Sequence, residues 1–361
     1  MHDYTPLRIV AVKRETADAI SVTLDVPEDK RAGFAFKPGQ HVPVRTVLEG
    51  AEQRRTYSIC SGPGERGLRI AIKQLDGGQF STWANTRLEP GMMLDVMPPQ
   101  GRFVLPEGDG KPRDILAIAA GAGITPIIAI VRHALATEPN LRVTLVYGNR
   151  TAESALFGGE LDDLKDRYLD RFTLLNVLSR SDNADTPILA GRVDAAKIRT
   201  LLERLVPVSG LAHAFLCGPS AMIKEARDTL ASLGVPPRQI HHELFSAGPA
   251  VQRQPSPGVR PPHTSTPGAV TEVLAIIDGT RHRFEARADE AVLDAALRAG
   301  IRAPYSCKGG MCCTCRAKIV EGSATMRVNY SLEPWETDQG FVLTCQAVAT
   351  GDRLLIDYDQ M

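Results

Sequence analysis

The chain has 361 residues, 43% of them hydrophobic, and its 42 basic and 42 acidic side chains leave a formal net charge of zero. That length suffices for two or three domains with separate cores, and the balanced charge carries no electrostatic footprint for nucleic acid. No 18-residue apolar stretch occurs, and the start Met1-His2-Asp3-Tyr4 lacks a charged segment leading into an apolar run, so neither membrane spanning nor secretion is expected.

Residues 1 to about 110 carry short β-type runs: Arg8 to Lys13, Ile20 to Val26, His41 to Val47, Thr56 to Cys60, Leu68 to Lys73 and Met93 to Met97. Turns rich in Gly and Pro, such as Lys37-Pro38-Gly39-Gln40, separate them, and the pattern predicts an antiparallel β-barrel domain over 1–110. Two runs in it stand out. Arg54-Arg55-Thr56-Tyr57-Ser58-Ile59-Cys60 sets an aromatic face beside a hydroxyl, which suits a planar ring, and an arginine, which suits phosphate. Gly77-Gly78-Gln79-Phe80-Ser81-Thr82 precedes a short helix whose N-H groups suit a second phosphate. Each alone also reads as plain barrel packing.

From 111 to 245 the texture changes to β-α alternation, which predicts a parallel sheet with helices on both faces. Helices are expected at Pro126–Ala136, Ala155–Tyr168 and Ala221–Leu233. The strand Ile115–Ala119 runs into Gly121-Ala122-Gly123-Ile124-Thr125-Pro126, a turn that lets backbone approach a pyrophosphate at a helix N-terminus. It falls short of the full dinucleotide pattern, and a plain glycine turn is the alternative. Two more strand ends, Tyr147-Gly148-Asn149-Arg150 and Cys217-Gly218-Pro219, fall on the same edge of the sheet, where ligands of open parallel sheets sit. Arg150 and the pair Ser179-Arg180 offer guanidinium and hydroxyl groups where no carboxylate is evident to grip a ribose. That favours the 2′-phosphate of NADPH over NADH, against the alternative of solvated surface arginines.

Residues 246–269 hold six prolines among Gly, Ser and Thr and predict a linker. As a flexible coil it would span on the order of 25–30 Å. The last segment, 270–361, reads as a small α+β module: an alternating run Thr271–Ile277, a turn at Asp278-Gly279 and a helix Val292–Ala299. Its thirteen acids face ten bases, so the preceding residues carry about +3. Cys307, Cys312 and Cys315 are spaced C-x4-C-x2-C, and Cys345 follows on a strand-like run, Phe341–Val348. This is the plant-type [2Fe-2S] spacing. A structural zinc site is the alternative, weakened because zinc knuckles pair their cysteines in both halves. Cys313 is read as a non-ligand. Seven cysteines, four in this pattern and Cys60, Cys217 and Cys313 scattered, fit a reducing cytoplasm better than a disulfide framework.

Assembled, these residues resemble the ferredoxin-reductase flavoprotein family fused to a C-terminal, β-grasp-like ferredoxin domain, across all but the linker. The resemblance implies that Arg55 contacts the phosphates of FAD, that Tyr57 packs on its ring system and that Ser58 hydrogen-bonds near its reactive nitrogen. It further implies a second phosphate turn at Gly78, Ser81 and Thr82, a closing element at Glu243 and Phe245, and Cys217 beside the nicotinamide. Phe36-Lys37-Pro38-Gly39-Gln40-His41 and Asn329-Tyr330-Ser331-Leu332-Glu333-Pro334 extend it toward reductases of aromatic acyl-CoA oxygenases. The implied function is transfer of electrons from NADPH through FAD and a [2Fe-2S] cluster to the subunits of a multicomponent diiron monooxygenase. A steroid or hydrocarbon hydroxylase or a desaturase is the alternative partner, and a zinc-bearing nucleotide sensor the remote one. No acid-base dyad or nucleophile is called for, so no catalytic residue is nominated.

Overall fold

The computed structural model describes residues 4–62, 65, 67–180, 186–206, 208–245 and 270–360. The linker expected over 246–269 lies outside them. Two units are distinguished, one formed by most of the chain up to 246 and one by the C-terminal module. Among the described residues no helix is long and apolar enough to cross a membrane.

Alternation of side chains builds the first sheet. In β1 (Thr5–Thr16) Leu7 and Ile9 are buried while Arg8 and Val10 are exposed, as expected for a strand with one wet face. With β2 (Ala19–Asp25), β3 (His41–Leu48), β4 (Ala51–Ser58), β5 (Leu68–Lys73) and β6 (Met93–Val96) it forms a six-stranded sheet in the order β4-β3-β6-β1-β2-β5. Ile59, just past β4, bridges antiparallel to Ile70 of β5, and Cys60 N donates to Arg69 O at 2.8 Å. The two ends of the sheet therefore meet, and the barrel leaves no edge there. The helix α1 (Gln79–Arg87) adds Phe80 and Ala84 to the barrel core.

The second sheet takes its strands from longer apolar runs, because both its faces are covered. In chain order come β7 (Arg113–Ala120), α2 (Ile124–Thr137), β8 (Leu141–Asn149), α3 (Gly158–Arg167), β9 (Phe172–Leu178), α4 (Ala195–Arg204), β10 (Leu211–Gly218), α5 (Ser220–Ser232) and β11 (Ile240–Leu244). The strand order is β11-β10-β7-β8-β9, parallel throughout. The chain starts at the centre with β7, builds outward to β9, then crosses to β10 on the other side. The order thus reverses between β7 and β10, and at such a switch point the loops diverge and open a crevice. The helix expected from Ala155 starts at Gly158 instead, because Ala152–Ser154 form a separate 3-10 turn capped by Thr151. The helix α4, not expected from the sequence, buries Ile198, Leu201 and Leu202 along one stripe, and Asp194 caps it by accepting from Lys197 N at 2.8 Å, a contact worth about 1 kcal/mol.

Barrel and parallel sheet share packing: Ala19, Cys60, Ala71 and Phe103 belong to the same core as Ile127, Val131 and Leu161. A cluster of charges reinforces this seam. Arg69 of β5 grips both oxygens of Glu160 at 2.8 and 3.0 Å, and Arg132 of α2 bonds to Glu160 and to Glu65. Gly39 also lies here, at φ +99°, where an added Cβ would fall 1.9 Å from Phe103 O and 3.0 Å from Ile130 Cδ1. Only a residue without a side chain fits.

The C-terminal module is a mixed five-stranded sheet in the order β13-β12-β16-β14-β15. Its elements are β12 (Val270–Ile277), β13 (Thr280–Arg287), α6 (Val292–Arg298), β14 (Arg316–Met326), α7 (Pro334–Asp338), β15 (Phe341–Leu343) and β16 (Ala347–Asp357). β12 and β16 run parallel, and the other registered pairs are antiparallel. Val292, Leu293, Ala295 and Ala296 of α6 join the sheet's core. The strand-like run expected over Phe341–Val348 is not continuous. It breaks into β15 and β16 at a turn closed by Gln346 N donating to Leu343 O at 2.8 Å, and Cys345 occupies the turn. A sulfur in mid-strand would point along the sheet normal, whereas one in a turn can lean toward a neighbouring loop.

Candidate electron-transfer sites

In the larger unit, side chains from both sheets converge. Cys217 of β10 and Glu243 of β11 are register partners on adjacent parallel strands. Glu243 reaches the barrel with both oxygens: Ser58 Oγ at the end of β4 donates to Oε2 at 3.3 Å, and His41 Nδ1 at the start of β3 lies 3.3 Å from Oε1. His41 is buried, and its Nε2 has no hydrogen-bond partner. The Cys217 thiol is fully buried; burial pushes its pKa well above the ordinary value, and the charge of Glu243 adds to the shift. The group is therefore a neutral thiol, a hydroxyl and an anchored carboxylate.

Tyr57, one residue before Ser58, is half-buried, with its ring centroid 5.8 Å from that of Phe80. It backs onto the barrel core and keeps part of its ring uncovered, as a stacking platform requires. Arg55 is exposed two residues earlier on the same strand, and Arg55 Nη1 donates to Arg54 O at 2.7 Å. Gly78 stands at the N-cap of α1, and Ser81 is turned inward: its Oγ donates to Gly78 O at 3.2 Å and accepts from Leu75 N at 3.1 Å. Ser81 thus shapes the turn, while Thr82 is exposed beside it.

Beyond β7, Gly121-Ala122-Gly123 form a 3-10 turn that feeds α2, and Thr125 Oγ1 donates to Ala122 O at 3.0 Å, holding the turn while Pro126 is buried in the first helical turn. Gly121 faces open space, with nothing within 4 Å of where a Cβ would be, whereas a Cβ on Gly123 would lie 2.1 Å from Cys217 O. The turn is pressed against the Cys217-Gly218 strand end on one side and open on the other. That is the shape of a seat for a phosphate-bearing ligand. At the far side of the sheet, Ser179 N donates to Asn149 O and Arg180 N to Arg150 O, both at 2.9 Å. The exposed side chains of Arg150, Ser179 and Arg180 are thereby grouped at one edge. Phe245, one residue past β11, is 43% exposed, outside the Ser58–Glu243–Cys217 group.

In the C-terminal unit the four ligand-spaced cysteines fall into two pairs. The Cys312 thiol donates to Cys307, which lowers Cys307 to about 5 against the opposing cost of burial, with backbone N-H groups of Met311, Gly309 and Cys312 adding to the effect. The Cys315 thiol donates to Cys345 and holds it below the ordinary thiol value, while Cys312 and Cys315, the two donors, are pushed up. Gly309 N lies 3.3 Å from Cys307 Sγ, and Gln346 Nε2 3.7 Å from Cys345 Sγ. The buried Thr314 hydroxyl lies beside Cys312 and favours its thiolate, and it has no other hydrogen-bond partner. Two sulfur pairs ringed by N-H donors fit two irons sharing one cluster.

Cys313, at φ +56°, turns away from this set: its thiol donates to Ser331 Oγ at 3.0 Å. Ser331 Oγ in turn donates to Gly310 O at 3.3 Å, and Tyr330 N donates to the same carbonyl at 3.1 Å. Asn329 Oδ1 accepts from the backbone N-H of Ser331 and Leu332. The run 329–332 is thus fastened to the cysteine loop. Sequence reasoning missed His41, Thr314 and the Arg316–Glu336 pair. A histidine opening the apolar strand His41-Val42-Pro43-Val44 was the available signal for the first; nothing local marked the others.

These features define a flavin- and iron-sulfur-dependent reductase, and the chain belongs to the ferredoxin-reductase flavoprotein family with a C-terminal [2Fe-2S] domain. Family models for an oxidoreductase FAD-binding domain, an oxidoreductase NAD-binding domain and a 2Fe-2S iron-sulfur cluster binding domain match residues 6–105, 117–228 and 275–350. The chain is 40% identical over 364 residues to a subunit of 1,2-phenylacetyl-CoA epoxidase from Escherichia coli (strain K12), covering 99% of both chains. It is 33% identical to the ferredoxin reductase component of 3-ketosteroid-9-alpha-monooxygenase of Mycobacterium tuberculosis, covering 98% of this chain and 96% of that one. Among solved structures it matches phthalate dioxygenase reductase, a modular structure for electron transfer from pyridine nucleotides to [2Fe-2S], with a TM-score of 0.59, 24% identity and 98% of each chain covered. It is a reductase component of an oxygenase system, built on FAD, a nicotinamide coenzyme and a [2Fe-2S] cluster.

Proposed function

We propose that this chain is the cytoplasmic, NADPH-dependent reductase of a phenylacetyl-CoA epoxidase, delivering electrons to the diiron oxygenase subunits of that system. The observation that carries the partner is the 40% identity over 99% of both chains to the epoxidase component, against 33% for the ketosteroid monooxygenase component. FAD, when bound, takes the hydride pair of the nicotinamide and releases it as single electrons to the cluster.

The chain's own residues supply position and environment. Tyr57 carries the flavin ring, Ser58 hydrogen-bonds near its reactive nitrogen, and Arg55 with the turn Gly78, Ser81 and Thr82 holds its phosphates. The inward hydrogen bonds of Ser81 make its part that of shaping the turn, so that backbone N-H groups of α1 meet phosphate. Gly121, Gly123, Thr125 and Pro126 form the seat of the nicotinamide coenzyme's pyrophosphate, with Asn149 beside it. Cys217 and Gly218 line the nicotinamide, where a neutral buried thiol packs without setting a nucleophilic thiolate against the ring. Glu243, tied to Ser58 and His41, keeps the hydroxyl oriented, and Phe245 closes the site. Arg150, Ser179 and Arg180 grip the 2′-phosphate of NADPH. Cys307, Cys312, Cys315 and Cys345 bind the cluster. The segments 1–110, 111–245 and 270–361 are the flavin, nicotinamide and cluster domains, joined by the linker 246–269.

The test is product formation when the chain, NADPH and phenylacetyl-CoA are mixed with purified epoxidase oxygenase subunits. Epoxide or its ring-opened isomer is expected. Brisk NADPH oxidation without product would overturn the partner and bring forward a ketosteroid-type oxygenase, for which the 33% relative speaks. An NADH/NADPH preference insensitive to Arg150→Ala with Arg180→Ala would overturn the coenzyme assignment.

A further inference from the structure

The cluster module presents one aromatic side chain whose exposure its packing does not explain. Of the chain's two tryptophans, Trp83 packs edge-on against Phe80 at 5.6 Å, whereas Trp335 is 52% exposed. An indole left in water forgoes roughly 1.5–3 kcal/mol of burial, and an exposed, rigid tryptophan is the side chain most often found at the centre of a protein interface.

Trp335 is rigidly presented. It is the second residue of α7, whose start is fixed by Pro334 and by a reciprocal capping box in which Glu336 Oε2 accepts from Glu333 N at 3.0 Å. Glu336 is completely buried, and its other oxygen accepts from Arg316 Nε at 2.9 Å; Arg316 directly follows the cluster ligand Cys315. On the N-terminal side, Tyr330 and Ser331 bond to Gly310 of the cysteine loop, and Cys313 bonds to Ser331. The helix carrying Trp335 is therefore fastened, through the segment before it and through Glu336 in its middle, to residues adjoining cluster ligands. Its exposed neighbours Glu333 and Asp338 are acidic, and the module carries thirteen acids against ten bases.

We infer that α7 is the docking surface for the electron acceptor, with Trp335 seated in an apolar pocket of that protein whose rim carries lysine or arginine facing Glu333 and Asp338. A helix already held in place avoids the entropy of ordering its backbone on binding, and the acidic rim steers a basic partner. A surface joined to the cluster loop by direct hydrogen bonds also brings the acceptor to the electron's point of departure. The inference rests on the reading of the chain as a reductase of a separate oxygenase, and it names the surface that reading requires.

The test uses the full, cluster-loaded reductase and purified phenylacetyl-CoA epoxidase oxygenase subunits, with the dissociation constant measured by calorimetry at low and high salt. Trp335→Ala should weaken binding about 10- to 30-fold, and Trp335→Phe should restore most of it. Glu333→Lys with Asp338→Lys should weaken binding at low salt and far less at high salt. The visible circular dichroism and electron paramagnetic resonance of the cluster serve as the control that each variant is intact. Wild-type binding that Trp335→Ala leaves within twofold would overturn the docking surface while keeping the reductase reading. Absence of wild-type binding would overturn the partner, and this surface with it. A self-association broken by Trp335→Ala with unchanged oxygenase affinity would assign the face to a second copy of the chain and refute the inference.

Discussion

Glu336→Gln should cost the cluster module a large share of its stability. Glu336 has no exposed surface, and its partner Arg316 is held on three sides: by the carboxylate at 2.9 Å, by the Phe341 ring at 3.5 Å from Cζ, and by Gln360 O at 3.2 Å from Nη1. Removing the charge leaves a largely buried guanidinium, 15% exposed, without its counter-ion, a change that costs about 3–5 kcal/mol when both partners are buried. Glutamine keeps one carbonyl oxygen for either Arg316 or Glu333 N, so the lower end, about 3 kcal/mol, is the expected value. For a module of roughly 90 residues each kcal/mol moves the melting temperature by about 4–8 °C, which gives a drop of about 12–24 °C. The assay is loss of the cluster's visible circular dichroism on heating, at one scan rate for both proteins because cluster release is irreversible. A fall below about 4 °C would refute the reasoning, since it would mean that the pair is worth no more than a surface ion pair. The double change Arg316→Met with Glu336→Leu should recover much of the loss, because no uncompensated charge is then left behind.

Other outcomes follow from the same geometry. Cys312→Ser should abolish electron delivery to the oxygenase while NADPH-dependent reduction of ferricyanide by the flavin continues; equal loss of both would sink the division of labour between flavin and cluster. Ser58→Ala removes one hydroxyl anchored on Glu243, and flavin bleaching by NADPH in stopped flow should slow about 10- to 100-fold, the worth of a hydrogen bond to a charged group at about 1.5–3 kcal/mol; an unchanged rate would remove Ser58 from the site. Cys60 is fully buried, and burial raises its thiol from 9.0 to about 12. A raised acid favours the protonated folded state, so its contribution is complete below pH 9 and is lost as pH climbs toward 12. The urea midpoints of wild type and Cys60→Ala should therefore converge as pH rises from 9 toward about 12; parallel curves would contradict the burial argument.

Much of the architecture was legible because it rests on local pattern. The barrel strands are short β-type runs punctuated by turns, with β1 and β6 alternating inside and outside, and β7 and β8 read as apolar runs because helices cover both their faces. The elements that were not legible lack that signature. β13 is the edge of its sheet, and its sequence Thr-Arg-His-Arg-Phe-Glu-Ala-Arg buries only Phe284 and Ala286, so charge masks the period. β14 carries exposed Glu321, Gly322 and Ser323 in its middle and is held by pairing with β16, a partner far along the chain. Cys345 was legible as a ligand from spacing, yet its place in a turn depends on Gln346 bonding back to Leu343. The cysteine loop needs only a few consecutive residues to be recognised. The convergence of His41, Ser58, Cys217 and Glu243 needs two sheets to be packed first: Ser58 and Cys217 were in view as members of separate motifs, and only family resemblance put Glu243 beside them.

Gly39 fixes how closely the two halves of the larger unit can approach. With 1.9 Å between a would-be Cβ and Phe103 O, any substitution must displace the backbone at Phe103, and with it the side chain that packs in the core shared with Ile127 and Ile130 of α2. Hydride passes only over van der Waals distance, so repacking at this seam is expected to act as a spacer inserted between two electrodes, on a wall made of residues other than those assigned to either coenzyme. Variation that tunes the gap has one direction available: trimming Ile130 on the opposite wall relieves one neighbour but leaves the backbone carbonyl in place. The seam is therefore a set-screw with a hard stop, and descendants of this chain are expected to change their coenzyme and partner surfaces long before they change the spacing between them.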